Sequence, residues 1–289
     1  MSGATVAQLI AQATRELQAA GVDSAHFDAS NLLAAALKVE LRHIPVMRND
    51  PVPPATQQLF AMHLQRRAQR EPLQYIIGDT EFYGQRFKCD KRAMVPRPET
   101  ETLVAVVIDL ITALDGKPVV ADIGTGTGVI AICLAHALPE ATVYATDSSP
   151  QALDLARENV ELHSLADRVI LLPPGSGLQP LRAAQLHESV EVLVSNPPYV
   201  ESGQINQLQP EIRDFEPRAA LDGGPDGLDC YRQLLPECRQ LSQLQVIALE
   251  VGQGRAEAVA AIGRDSFPSA QVQIVPDISG IQRVVVFRL

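Results

Sequence analysis

One strand, turn and helix unit limits what this chain can fold into. Pro118, Val119, Val120, Ala121, Asp122 and Ile123 run into Gly124-Thr125-Gly126-Thr127-Gly128, and Val129-Ile130-Ala131-Ile132-Cys133-Leu134-Ala135 follows without a polar break. A short buried strand, a tight glycine turn and an apolar helix open a nucleotide-type α/β unit whose backbone approaches a ligand closely. The glycines, at every second position, do not fit the dinucleotide spacing G-x-G-x-x-G, and no Lys-Ser/Thr pair follows to make a phosphate loop. Strand candidates recur at 119–123, 142–146, 168–172, 190–195, 245–251, 271–275 and 283–288, with helical segments between the early ones. That rhythm predicts a doubly wound α/β domain with mostly parallel strands. The 142–146 strand ends in Asp147, placed to bond a ribose diol by the same logic as in dinucleotide folds. An adenosine-bearing ligand without a pyrophosphate fits best. S-adenosyl-L-methionine is such a ligand, since its sulfonium needs no phosphate cradle.

A second motif, Asn196-Pro197-Pro198-Tyr199, closes the apolar run Val190, Val192, Leu193, Val194. It suits a planar NH2 group. An amide or aromatic amine is a poor nucleophile because its lone pair is delocalised, so a site must offer acceptors to both N–H bonds and leave the nitrogen face open. Asn196 offers a side-chain oxygen. Pro197 precedes another proline and is restricted to extended conformations, which aims its carbonyl stiffly. Tyr199 supplies a flat wall. A Pro-rich turn closing a buried strand would leave the same residues, since Asn-Pro is a common turn dipeptide. Asp147 and Asn196 both fall at carboxyl ends of strands, where open α/β sheets place ligands. Glu250 ends another strand at that edge, and a structural carboxylate is as good a reading of it as a functional one.

At 289 residues the chain is long enough for two domains with separate cores. Residues 1–73 read as a helical bundle: Val6, Leu9, Ile10, Ala13 and Leu17 repeat at helical spacing up to Gly21, a second helix runs from Ser24 through Leu37, and a third covers Ala55 to Arg70. Arg66, Arg67 and Arg70 are expected on a solvated helix face, with docking of a partner as the second reading. Residues 74–97 read as a β-hairpin linker around Gly84, and 98–289 as the α/β domain, opening with a helix over Leu103 to Ile111. The net charge of −10 opposes general affinity for nucleic acid. No apolar stretch approaches the ~20 residues of a membrane span, and the N-terminus has no signal core, so a cytoplasmic protein without membrane partners is expected. Cys89, Cys133, Cys230 and Cys238 lack C-x-x-C spacing, so neither a metal site nor a disulfide framework is expected.

The ordered set of marks resembles the bacterial release-factor glutamine methyltransferases (PrmC, also called HemK), over nearly the whole chain. Besides the glycine loop and Asn196 to Tyr199, the marks are Pro72 to Gly78, Phe82-Tyr83-Gly84, Pro96-Arg97-Pro98-Glu99-Thr100-Glu101, Glu216-Pro217-Arg218-Ala219-Ala220-Leu221 and Asp226-Gly227. The resemblance implies a class I S-adenosylmethionine-dependent methyltransferase (Rossmann-like) sheet behind a small N-terminal helical, substrate-docking domain. It also implies methylation of the side-chain amide nitrogen of the glutamine in the Gly-Gly-Gln loop of class 1 peptide chain release factors. Asn196, Pro197, Pro198 and Tyr199 would then be the catalytic set. Gly124, Thr125, Gly126, Thr127, Gly128, Asp147 and Asn196 would hold the cofactor. The chain departs from the family after its third strand, where Pro173-Pro174-Gly175-Ser176-Gly177 stands in place of an acidic residue near the adenine. Either a backbone donor or Ser176 takes over that contact, or the cofactor binds more weakly. The rivals are a ribosomal-protein glutamine methyltransferase, an adenine N6-methyltransferase acting on nucleic acid, and a non-catalytic binding module of the same fold.

Overall fold

The computed structural model describes residues 4–112 and 116–289. These form two compact units: the chain up to Asp79 together with Gln209–Phe215, and Thr80–Leu208 together with Glu216–Leu289.

The first unit is helical. Helices α1 (Val6–Ala19), α2 (Ala25–Leu37), α3 (Pro54–Ala68) and α4 (Leu73–Ile77) bury Val6, Ile10, Leu17, Leu32, Leu33, Phe60 and Leu64 in one core. Thr5 starts α1 with a capping box, its hydroxyl accepting from Gln8 N–H while the Gln8 side chain accepts from Thr5 N–H, which satisfies two of the free donors of the first turn. Arg67 of α3 and Arg70 just beyond it are not solvated as the sequence suggested, whereas Arg66 stays partly exposed. Arg67 is 5% exposed and donates to Asp28 at 2.7 Å and to Glu211 at 2.8 Å, while Arg70 holds both oxygens of Glu211. These pairs tie the short helix Pro210–Phe215 into this unit, although a contiguous division of the sequence assigns it to the second.

The second unit opens with a hairpin of β1 (Asp79–Phe82) and β2 (Gln85–Lys88), then α5 (Thr100–Thr112). Tyr83 and Gly84 both have positive φ, as a two-residue turn requires, and Glu101 of α5 accepts from Tyr83 N–H at 2.8 Å. There follow β3 (Val119–Ile123), α6 (Val129–Ala137), β4 (Thr142–Thr146), α7 (Pro150–Leu162), β5 (Val169–Leu171), α8 (Gln179–Ala183) and β6 (Val192–Ser195). After α9, the Pro210–Phe215 helix already described, come α10 (Asp229–Glu237), β7 (Val246–Glu250), α11 (Ala256–Ser266), β8 (Gln271–Pro276) and β9 (Gln282–Arg288). Seven strands form one sheet in the order β5-β4-β3-β6-β7-β9-β8, parallel from β5 to β7 and antiparallel at β9 and β8. Side chains alternate between the faces. Val192 and Val194 enter the core with α5 and α6, and Leu193 enters the opposite core with α10 and α11. Burial on both faces explains why these strands read as unbroken apolar runs.

From β3 the chain winds outward through β4 to β5, then returns to the other side of β3 as β6. The order reverses between β3 and β6, and at such a switch point the loops diverge and leave a crevice. Ile123 is in register with Thr146 on one side and Ser195 on the other, and Ser195 is in register with Leu249. The next residues, Gly124, Asp147, Asn196 and Glu250, therefore stand along one edge.

Candidate active site

The glycine loop is held from below. Gly124 N–H and Thr125 N–H both donate to the Thr146 carbonyl, Thr125 Oγ1 donates to Asp122 at 2.6 Å, and Asn159 Nδ2 holds the Thr127 carbonyl at 2.9 Å. Thr125 and Thr127 are buried in the protein, and a Cβ on Gly128 would press on Ala156 at 3.3 Å, so these three members shape the turn. Gly124 differs. Its φ is +76°, it is exposed, and a Cβ placed there would meet nothing within 4 Å, which leaves room for a ligand against the backbone.

Asp147 accepts from Gly126 N–H at 2.9 Å and Ser149 N–H at 2.8 Å, which fixes its carboxylate beside the loop. Burial raises its pKa against these bonds. Asp122 is fully buried, its Oδ1 has no hydrogen-bond partner, and burial lifts its pKa to about 7, with Asp147 adding repulsion. Glu250 is 1% exposed, and burial raises it to about 7 as well. An unpaired buried acceptor is costly. Acids gathered at one crevice favour a ligand that brings positive charge and N–H or O–H donors. A sulfonium with an ammonium group and a ribose diol meets that description. Ser176 is exposed on the loop after β5, which is fastened to β4 by Gly175 N–H donating to the Asp147 carbonyl.

Across the switch point, Asn196 donates from Nδ2 to Thr100 Oγ1 at 3.1 Å, leaving Oδ1 as the end that can accept. Pro197 is buried and Tyr199 half-buried, its phenol pushed up to about 12 by burial first and by Glu250 second. The tetrapeptide rests on glycines. A Cβ at Gly223 would come within 2.8 Å of the Pro198 carbonyl and of Tyr199 Cα, and one at Gly252 within 2.9 Å of the Tyr199 ring. Val200 N–H donates to the Leu221 carbonyl and Gly223 N–H to the Val200 carbonyl, clamping the strand end from one side.

The structure thus brings Gly124, Gly126, Asp147 and Asn196 to one edge and turns the Thr125 and Thr127 side chains inward. It also gives the scattered sequence marks a physical reason. Arg97 pairs with buried Glu216 at 2.5 Å, which joins the Pro96 to Glu101 segment to the Glu216 to Leu221 segment. Thr100 of the first segment bonds Asn196, and Gly227 follows the loop that carries Gly223. Sequence reasoning assigned no role to Thr100, Gly223 or Gly252. The signal that points to Gly223 is Gly223-Gly224 after a strand-like Leu221, legible only once the partner segment is known.

A family model described as the PrmC N-terminal domain matches residues 8–78, and one described as the methyltransferase small domain matches residues 104–212. The release factor glutamine methyltransferase of Moorella thermoacetica is 39% identical over 280 residues, covering 96% of this chain and 96% of that protein. The protein of the same name from Cereibacter sphaeroides is 36% identical over 284 residues, 98% of each chain. Among solved structures, the hMettl16 catalytic domain in complex with the MAT2A 3'UTR hairpin 6 superposes with a TM-score of 0.57 at 16% identity, covering 70% of this chain and 74% of that one. At that identity the likeness shows the fold, the sheet of S-adenosylmethionine-dependent methyltransferases.

Proposed function

The chain belongs to the release factor glutamine methyltransferase family, and from that premise we propose that it methylates the side-chain amide nitrogen of the glutamine in the Gly-Gly-Gln loop of class 1 peptide chain release factors. The observation that carries this reading is Asn196: its Nδ2 donates to Thr100, which leaves its side-chain oxygen as the end open to an amide N–H. S-adenosyl-L-methionine, bound there, supplies an electrophilic methyl. Gly124 and Gly126 offer it backbone and Asp147 its diol acceptor, while the buried Asp122 beneath the loop adds negative charge that favours its cationic groups. Ser176 is the side chain on the loop after β5 that is available to the adenine.

The residues of this chain do the orienting. Asn196 Oδ1 and the Pro197 carbonyl take the two N–H bonds of the substrate amide, which leaves the nitrogen face open for in-line displacement. Tyr199 covers the amide plane, with Pro198 fixing the turn between them. Holding both reactants in line supplies on the order of 7–11 kcal/mol of barrier reduction. Once the nitrogen carries a fourth bond it is acidic enough to release its proton without a dedicated base. The helical unit, which exposes Phe27, Val46 and Met62, docks the protein substrate. Among the described residues no helix is long and apolar enough to cross a membrane, and a partner in translation places the reaction in the cytoplasm.

The test is methyl transfer by wild type and Asn196→Ala from labelled S-adenosylmethionine, offered a release factor, a ribosomal protein with an acceptor glutamine, and adenine-bearing DNA in parallel. Label in the release factor alone, lost in Asn196→Ala while calorimetry still shows cofactor binding, supports the proposal. Label in either other acceptor, or full transfer by the variant, refutes it.

A further inference from the structure

Glu250 takes no part in holding the methyl acceptor as described so far, yet it is among the most buried charged groups of the chain and stands at the strand end next to Asn196. Its Oε2 has no hydrogen-bond partner. The side chains of Thr100 and Asn196 both face its carboxyl and favour its charged form. Thr100 itself is 3% exposed and receives the Asn196 amide at 3.1 Å.

The order of donors in this cluster has a consequence. A carboxylate only accepts, a hydroxyl gives one proton and accepts elsewhere, and an amide has one end that accepts and one that donates. With Glu250 ionised, Thr100 donates its proton to the carboxylate, and its lone pairs are then open to the Asn196 NH2. The second N–H of the same NH2 is then available to the carboxylate. The Asn196 oxygen is left facing the crevice. With Glu250 protonated, the carboxyl can donate to Thr100, Thr100 can donate to Asn196 Oδ1, and the amide is free to turn round and present NH2 to a substrate that itself presents NH2. Resting on the function proposed above, we propose that Glu250 is a positioning residue that, through Thr100, sets which end of the Asn196 amide faces the methyl acceptor.

The surroundings bear on the charge of Glu250 in both directions. Burial is the largest influence and raises its pKa; Thr100 and Asn196 oppose it by hydrogen bonding, Arg283 of β9 opposes it by charge, and Glu99 adds to it. Tyr199 and Tyr231 complete the group: both phenols are raised by burial first and then by neighbours that include Glu250, and the Tyr231 hydroxyl donates to the Glu250 carbonyl at 2.7 Å. Arg283 is shared with Asp277 at 3.1 Å, so it neutralises Glu250 only in part.

The experiment uses the full chain and four proteins: wild type, Glu250→Gln, Thr100→Val and Thr100→Ser. Methyl transfer to a release factor is followed against pH, and the side-chain 15N amide resonance of Asn196, assigned by its loss in Asn196→Asp, is followed over the same range without substrate. In the wild type, kcat rises with pH through a midpoint near 7 and the Asn196 amide signal moves with it. Glu250→Gln and Thr100→Val lose at least ~10-fold in kcat, keep the cofactor KM within about 2-fold, and show neither the acid limb nor the amide titration. Thr100→Ser keeps the wild-type kcat, acid limb and amide titration. Wild-type kcat and pH profile in folded Glu250→Gln and Thr100→Val, or equal loss in Thr100→Ser and Thr100→Val, overturns the proposal. A wild type that methylates no amide counts against the proposed function instead, and the amide titration then decides the positioning role by itself.

Discussion

Gly223 measures how tightly the tetrapeptide must be held. A Cβ at this position lies 2.8 Å from both the Pro198 carbonyl and Tyr199 Cα, and these are backbone atoms that no side-chain rotation can withdraw. Ordinary contact begins at 3.4 Å, so Gly223→Ala must push the two segments apart by about 0.6 Å. Overpacking of this kind costs about 1–3 kcal/mol, and for a unit of this size each kcal/mol lowers the melting temperature by about 2–4 °C. If Asn196 to Tyr199 bind the acceptor as proposed, displacing them by a sizeable fraction of an ångström lowers kcat on the order of 10-fold, because a misplacement of ~1 Å costs about 100-fold. Cofactor affinity should be unchanged, since Gly124 and Asp147 belong to other strand ends. The control is Gly203→Ala, where a Cβ meets nothing within 4 Å. Steady-state transfer kinetics, calorimetry with S-adenosylmethionine and a thermal melt give all three quantities. If Gly223→Ala transferred methyl groups as fast as Gly203→Ala, the claim that this loop positions Asn196 to Tyr199 would be wrong.

Other perturbations test other parts. Arg67→Met strands Asp28 and removes one of the two cations on Glu211, so it should cost about 3–5 kcal/mol, read as a melting transition lowered by at least ~10 °C; a loss under about 1 kcal/mol would mean that this arginine behaves as a solvated one. Asp122→Asn should gain stability relative to wild type as pH rises. The folded-state pKa of Asp122, about 7, lies above its ordinary 3.8, so below 3.8 its ionisation has no effect on stability, and between the two values the folded state loses ground as pH climbs. The difference reaches on the order of 4 kcal/mol by pH 8, and a pH-independent difference in denaturant melts would contradict it. The same variant should bind S-adenosylmethionine more weakly, which calorimetry at pH 8 reads directly.

The fold was legible where physics is local. Parallel strands buried on both faces must be apolar throughout, so Val119–Ile123 and Val192–Ser195 stood out, and the glycine loop between a strand and an apolar helix marked the crevice. The apolar run of α5 begins at Leu103, and its first turn, Thr100 to Thr102, falls in the segment whose proline and acids are ordinary helix-start signals. Arg67 looked like surface because its partners, Asp28 and Glu211, are 39 and 144 residues away, and no window of sequence contains them. The place of Asn196 at a strand end was legible from the apolar run before it. The amide's orientation was not, because it depends on Thr100, 96 residues earlier, and on Glu250 at the end of the neighbouring strand. Glycines 223 and 252 were silent for the same reason: their meaning lies in what stands against them.

The planar amide proposed to sit at Asn196 to Tyr199 is the glutamine of a release factor's Gly-Gly-Gln loop. The most direct measurement is mass spectrometry of an unmodified class 1 release factor after incubation with this protein and S-adenosylmethionine, with fragmentation to place any added mass. A single methyl on that glutamine is the predicted result. A fully unmodified loop in an otherwise active factor, or a methyl on another residue, would contradict it.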